Sequence, residues 1–440
     1  MNRSRLLVLL VGLTLLPGMA RAQGHLLHGI GAVNSAMGGA GVALEEESLN
    51  ALHENPALLV KTEGNQISFA SEFFKPGLRV DSRVGTRTAS TDATEQLGVI
   101  PAFGWIAHDP SGKMGMGFGL LGVAGFRTDY PQDSGNVLLV PQPEGFGRVA
   151  TDLTITKIPV AFALQVNPKL ALGASINAYR GMLAISPLPV VIPDVVNGVG
   201  ILPAAANQVA SWGFGLQLGM LYDMSPMASI GASITTKQKF QQYHWNSTNA
   251  NPLSASYGAA RPLTFNLDGP ATVTVGVGLK PNPKMRMAID ARYVKYEGVA
   301  GIGDVGGVDV VNHRLIGIGW RNIWAGMAGI QYQATPALAV RAGFNYAQTP
   351  IRQDVTGAAA LTTGSAVTSM GTPATFQKHF TAGLGMMMNP HMGFDMGFYI
   401  VPRETVSGPI LSLYQGVIPN SQIDMSNKIT SMQIALNFKF

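Results

Sequence analysis

The chain has 440 residues, 46% of them hydrophobic and only 12% charged, with 53 Gly, 27 Pro, no Cys and a formal net charge of +5. A typical soluble domain carries roughly 25% charged residues, so an ordinary soluble enzyme is a poor fit. Beyond the N-terminus no apolar run reaches the ~18 residues a spanning helix needs, which excludes a helical membrane bundle.

The first residues read as an export signal. Arg3 and Arg5 precede an apolar run from Leu6 to Leu16, then Pro17 and the small-residue site Ala20-Arg21-Ala22. This pattern marks residues 1–22 as a signal peptide cleaved after Ala22. Its loss removes three Arg and no acid, leaving a net charge of +2, so the basic balance gives no argument for nucleic acid. The absence of Cys in an exported chain excludes a disulfide scaffold, thiolate zinc and cysteine catalysis.

Residues 23–64 form a distinct segment: rich in Gly and Ala through 29–43, acidic at Glu45-Glu46-Glu47, then a stretch from Leu49 to Leu59. Small residues allow close packing, so the segment reads as a compact plug inside a lumen. A periplasmic tail is the alternative on composition alone.

From residue 65 onward the pattern changes to period two, the mark of a strand with unlike faces. Met432, Ile434, Leu436, Phe438 and Phe440 share one face, with Ser431, Gln433, Asn437 and Lys439 on the other. Likewise Met285, Met287, Ile289 and Tyr293 oppose Arg286, Asp290 and Arg292. Short turns containing Pro110, Pro168, Pro226, Pro283, Pro336 and Pro390 recur at intervals of 58, 58, 57, 53 and 54 residues. Each joins two striped segments, and each pair is followed by a longer irregular stretch. Six turns join twelve strands between about 97 and 401; one strand at 66–74 and one at 429–440 bring the total to fourteen. An even count, tight turns at one end and long loops at the other describe a fourteen-stranded antiparallel outer-membrane β-barrel over residues 65–440, with the N-terminal plug in its lumen. Closure satisfies every backbone polar group in hydrocarbon. Trp105, Trp212, Trp320 and Trp324, with Tyr130, Tyr222, Tyr293 and Tyr332, fall near strand ends and are expected in interfacial girdles.

The segment Met182–Ser211 stands out. Eighteen of its 30 residues are Ala, Val, Ile, Leu or Met, four are Pro, and Asp194 is its sole charge. It falls among the long external loops, where Leu188, Val190, Val191, Ile192, Val195, Val196, Ile201 and Leu202 would offer an oily surface for a ligand that water rejects; packing on neighbouring loops or lipid is the alternative. Val137-Leu138-Leu139-Val140 is expected to form an opposite wall. Other signals are weak. Gly301-Ile302-Gly303-Asp304-Val305-Gly306 lacks the strand–helix context of a dinucleotide site. His25, His28 and the other His have no metal-ligand spacing, and nothing near His313 or His379 marks the nucleophile of a barrel lipase. No metal, cofactor or enzymatic activity is expected.

The block Ser35-Ala36-Met37-Gly38-Gly39-Ala40-Gly41-Val42-Ala43, followed by Ser48 and Asn55-Pro56-Ala57, resembles the N-terminal hatch of the FadL/TodX family of outer-membrane transporters for long-chain fatty acids and hydrophobic compounds. Gly319-Trp320-Arg321-Asn322-Ile323-Trp324, leading through Gly329-Ile330-Gln331-Tyr332 to Arg341-Ala342-Gly343-Phe344, is similar to the family's late barrel hairpin. The resemblance implies passive uptake: capture by external loops, a shift of the hatch (Gly38, Gly39, Gly41, Asn55, Pro56 and Ala57), and sideways exit through a gap in the wall. Long-chain fatty acids are the first expectation for cargo, with aromatic or aliphatic hydrocarbons by the same route as the alternative and a general diffusion porin as the rival. The expected partners are the hydrophobic ligand, outer-membrane lipid and, during biogenesis, the barrel assembly machinery, around a monomer. Gly marks bends in strands, so Gly115, Gly117, Gly119 and Gly122 of the third strand place the gap there, next to Asn55-Pro56-Ala57, unless these glycines only make room for the plug. Arg286 and Arg341 are the lumen bases considered for a carboxylate.

Overall fold

A computed structural model describes residues 24–353 and 355–440. The expected signal peptide at 1–22 lies outside the described residues. None of the described helices is long and apolar enough to cross a membrane. The wall consists of fourteen strands: β1 (Gln66–Pro76), β2 (Gly98–His108), β3 (Met114–Tyr130), β4 (Val149–Asn167), β5 (Leu170–Ser186), β6 (Ala205–Ser225), β7 (Ala228–Thr235), β8 (Ala271–Asn282), β9 (Met285–Lys295), β10 (Ile323–Gln333), β11 (Leu338–Ala347), β12 (Lys378–Asn389), β13 (Met392–Gly408) and β14 (Ser421–Lys439). Each is antiparallel to the next, and β14 returns to β1 from Gln66↔Lys439 to Pro76↔Ile429. The sheet is therefore a closed barrel without an edge, and the expected strand count and turn positions hold.

The stripes sort as lipid and lumen demand. Phe162, Ile176, Phe214, Leu218, Leu384 and Ile400 stand exposed on the outer face, while Asn177, Gln217, Asp290, Arg292, Asn345 and Gln433 are buried on the inner one. The girdle expectation is corrected for two residues. Trp212, Trp324, Tyr222 and Tyr332 are exposed, but Trp320 and Tyr130 are fully buried. Trp320 packs edge-on against Tyr296 at 5.1 Å and Phe126 at 5.7 Å inside the mouth, because Gly319 and the following loop turn it inward before β10 begins.

Residues 24–64 fill the lumen. Two helices of six residues, α1 (Gly31–Ala36) and α2 (Ser48–His53), and a 3-10 turn over Pro56–Lys61 are almost wholly buried. Helices this short are not stable alone; the wall holds them. Asn55 caps the 3-10 turn by accepting the Ala57 N–H at 3.0 Å, with Pro56 in the first position where its missing N–H costs nothing. Gly39 has a positive φ of 78°, and a Cβ there would lie 1.7 Å from the His28 carbonyl oxygen. Gly39→Ala is accordingly expected to unseat the plug but not the barrel: residues 24–64 become protease-sensitive while heat-modifiable gel migration is retained.

Candidate functional site

The plug is fastened to the wall by polar groups that several strands turn inward. Asp290 of β9 accepts the N–H groups of Gly41 and Val42 on one carboxylate oxygen, at 2.7 and 2.9 Å. Two residues along, Arg292 bonds Glu54 at 2.5 Å, and both side chains are buried. Lys157 of β4 donates to the carbonyl of Leu52 and to the Gln217 amide oxygen, and Gln217 in turn donates to the carbonyls of His53 and Glu54. Thr381 and Asn345 bond the carbonyls of Ala36 and Gly38. A backbone buried in a lumen needs such partners. The expected hatch glycines take part directly: Gly41 through its N–H, Gly38 by fitting against Phe344 where a Cβ would be 2.8 Å from the backbone. Asn55 also donates to the carbonyls of Val42 and Met220. Asp290 and Arg292 were legible only as polar-face residues; their 249- and 238-residue separations from the groups they bond hide the contact.

The third strand behaves differently from expectation. Gly115, Gly117 and Gly119 stay in the regular ladder with β2, and a Cβ on each would meet Leu59 or Leu52 of the plug at 3.1–3.2 Å. They make room; they do not bend the strand. The break comes at Gly122. Pairing of β2 with β3 ends at Ala102↔Leu121, beyond which β2 continues with β1 and β3 continues with β4. A register shift between Gly122 and Ala124 inserts Val123 as an extra residue, and such a bulge flips the faces: Leu121 is buried below it, Phe126 and Thr128 above. Asn55-Pro56-Ala57 lies elsewhere, against Gly173 of β5 and Gly219 of β6. The seam is instead lined by residues 25–28. Leu27 donates its N–H to the Val123 carbonyl at 3.0 Å, and Gly125 donates to the His25 carbonyl at 3.1 Å.

Behind this seam lies a cavity of about 210 Å³ lined by Leu26, Leu27, Phe74, Ile100, Phe126, Leu153, Phe376 and Tyr399 among others. The cation lining it, Arg127, is bonded to Asp152 at 2.9 Å. A second, almost wholly apolar cavity of about 70 Å³ lies beneath the external loops, between Phe146, Val149, Ile185, Leu188, Val190, Phe265, Leu315, Val367 and Met370. The two approach each other where Thr151 and Thr372 line the outer cavity and Asp152 and Pro373 the inner one. The partition comes from the loop between β11 and β12, whose residues Ser365–Met370 are buried in the barrel mouth. Sequence reasoning missed this loop, although 355–377 contains no charged residue.

The external segment is corrected in two respects. Its ends belong to β5 and β6, leaving 187–204 as the loop, with a small hairpin of Asp194–Val196 against Val199–Ile201. The loop is also packed on its neighbours: Leu188 and Leu202 are buried, Val190 and Val191 pack on the core, and Asp194 is bonded by Arg261. Ile192 and Val195 are exposed, with Val196 and Ile201 half-buried. Leu138 and Leu139 are buried too, so that Phe146, not Val137–Val140, faces the outer cavity. Neither base considered for a carboxylate is free: Arg341 bonds Asp395 at 2.7 Å and Arg286 bonds the carbonyl of Glu45 at 2.9 Å.

A family model described as outer membrane protein transport protein (OMPP1/FadL/TodX) matches residues 13–439. The chain belongs to the FadL/TodX family of outer-membrane transport proteins. Its fold is shared with the toluene transporter TodX of P. putida at 17% identity and a TM-score of 0.67, over 94% of this chain and 99% of that one. A FadL homologue of Pseudomonas aeruginosa gives 14%, 0.69, 95% and 100%, and the Ralstonia pickettii toluene transporter TbuX 20%, 0.62, 94% and 99%. No curated protein matches. The chain is thus an outer-membrane protein of a family that transports hydrophobic compounds.

Removing one partner of a buried ion pair costs on the order of 3–5 kcal/mol, so Arg292→Met is expected to loosen the plug and produce channel openings in planar bilayers that the wild type lacks. Glu47, at the N-terminus of α2, has its carboxyl pushed up to about 8 by burial and then by the charge of Asp395. The seated plug therefore holds a proton that a released plug gives up between pH 4.5 and 8, and seating weakens as pH rises through that range. Glu47→Gln is expected to flatten the loss of protease protection of residues 24–64 between pH 7 and 8.

Proposed function

We propose that the chain imports uncharged hydrophobic molecules passively: they enter beneath the external loops, pass the Ser365–Met370 segment to the inner cavity, and leave sideways between β2 and β3. What carries the reading is the coincidence of three features: a mainly apolar cavity, the wall position where strand pairing stops, and a cation there already paired with Asp152. A fatty-acid carboxylate needs a compensating charge when it leaves water, and this cavity offers none among the described residues. Hydrocarbon import is favoured over fatty acids on that ground, in keeping with relatives described as toluene transporters. A general porin is disfavoured by the plug, whose backbone is bonded to the wall on several sides.

Gly122 controls the seam, since a Cβ there would lie 2.2 Å from Ile100. Gly122→Leu is expected to reduce uptake of labelled toluene to the level of cells lacking the protein, with the barrel still heat-modifiable. Undiminished toluene uptake in that variant contradicts the exit route, and uptake of oleate but not toluene by the wild type contradicts the cargo.

A further inference from the structure

The inner cavity carries polar atoms that hydrocarbon import does not use. Four rings gather on one side of it: His28 and His379 lie 4.7 Å apart, Tyr399 stands edge-on to His28 at 4.6 Å, and Phe376 edge-on to His379 at 6.0 Å. Burial keeps the His28 imidazole neutral, its pKa pushed down to about 4. Thr128, His379 and Asn427 line the same cavity, and none is more than 4% exposed. Thr128 Oγ1, His379 Nδ1 and Asn427 Oδ1 have no hydrogen-bond partner among the described residues. They come from β3, β12 and β14.

Buried polar atoms are almost always bonded, so three unpartnered ones on residues that line one chamber describe what the chamber receives. We propose that it selects an uncharged aromatic molecule bearing a hydroxyl, the phenol class, and that Thr128, His379 and Asn427 set this preference. The inference rests on the reading of uncharged cargo leaving by this cavity. The rings suit a flat π-system in edge or offset contact. A hydroxyl both donates and accepts, matching an amide oxygen that accepts, an imidazole nitrogen and a threonine hydroxyl. A plain hydrocarbon leaves the three atoms without a partner, whereas a carboxylate would arrive with its charge uncompensated. Size agrees: an apolar cavity of about 150 Å³ holds benzene, and this one has about 210 Å³.

The test uses 4-ethylphenol, ethylbenzene and 4-ethylbenzoate, which share a ring and tail, in equilibrium dialysis against the purified full-length mature protein. The affinity ratio of 4-ethylphenol to ethylbenzene is expected to fall about tenfold in His379→Phe, the cost of an unmade hydrogen bond, with ethylbenzene binding retained. Thr128→Val, which keeps the side-chain shape, is expected to lower the same ratio and decides the matter if His379→Phe does not fold. A ratio unchanged in the folded variants overturns the phenol preference alone. Tightest wild-type binding of 4-ethylbenzoate overturns the uncharged-cargo reading as well.

Discussion

In hydrocarbon a backbone N–H or C=O must find its partner within the protein, and this rule organises the whole molecule. Fourteen strands close because an edge would leave a row of unpaired groups in lipid. The same rule makes a hole in the wall difficult to build. Where β3 parts from β2 at Gly122, the groups released there need other partners, and the N-terminal segment supplies them: Leu27 to the Val123 carbonyl, and the His25 carbonyl to Gly125. The plug is thus part of the wall at a seam where the strands do not suffice. Seam and plug are coupled by these bonds, because moving residues 25–27 unpairs the bulge and anything that zips β2 to β3 displaces the segment.

The remainder of the plug is held so that this segment stays in place. Asp290, Arg292, Lys157 and Gln217 bond its backbone and Glu54 from three sides of the lumen, and His25 sits among Phe126, Tyr296 and Trp320. Asp290, Arg292 and Lys157 are thereby committed to fastening the plug. The cavities begin where the fastening ends, at the seam and beneath the loops.

Much of this was legible from residues alone, for physical reasons. Lipid outside and polar groups inside impose a period of two, so β9 and β14 declared both faces at once. The plug declared itself by Gly and Ala, because only small residues fit a backbone against a backbone, as Gly38 does against Phe344. Gly122 could not be told apart as the break in β3, because Gly115, Gly117, Gly119 and Gly122 look alike in sequence while three of them accommodate Leu52 and Leu59. The outward run of Met114, Met116, Phe118 and Leu120 stops at Leu120, and that loss of phase was the available signal. Trp320 and the 187–204 loop misled for a shared reason: outside the membrane no alternating environment exists, so an apolar residue there packs wherever its neighbours allow.

Backbone amide exchange at Gly125 tests the coupling most directly. In the intact protein the Gly125 amide is predicted to be protected, and deletion of residues 24–28 is predicted to abolish that protection while leaving the amide of Phe118, lower in β3, unchanged. Full protection of Gly125 in the deletion variant would contradict the account, since the wall would then be closing the seam without the plug.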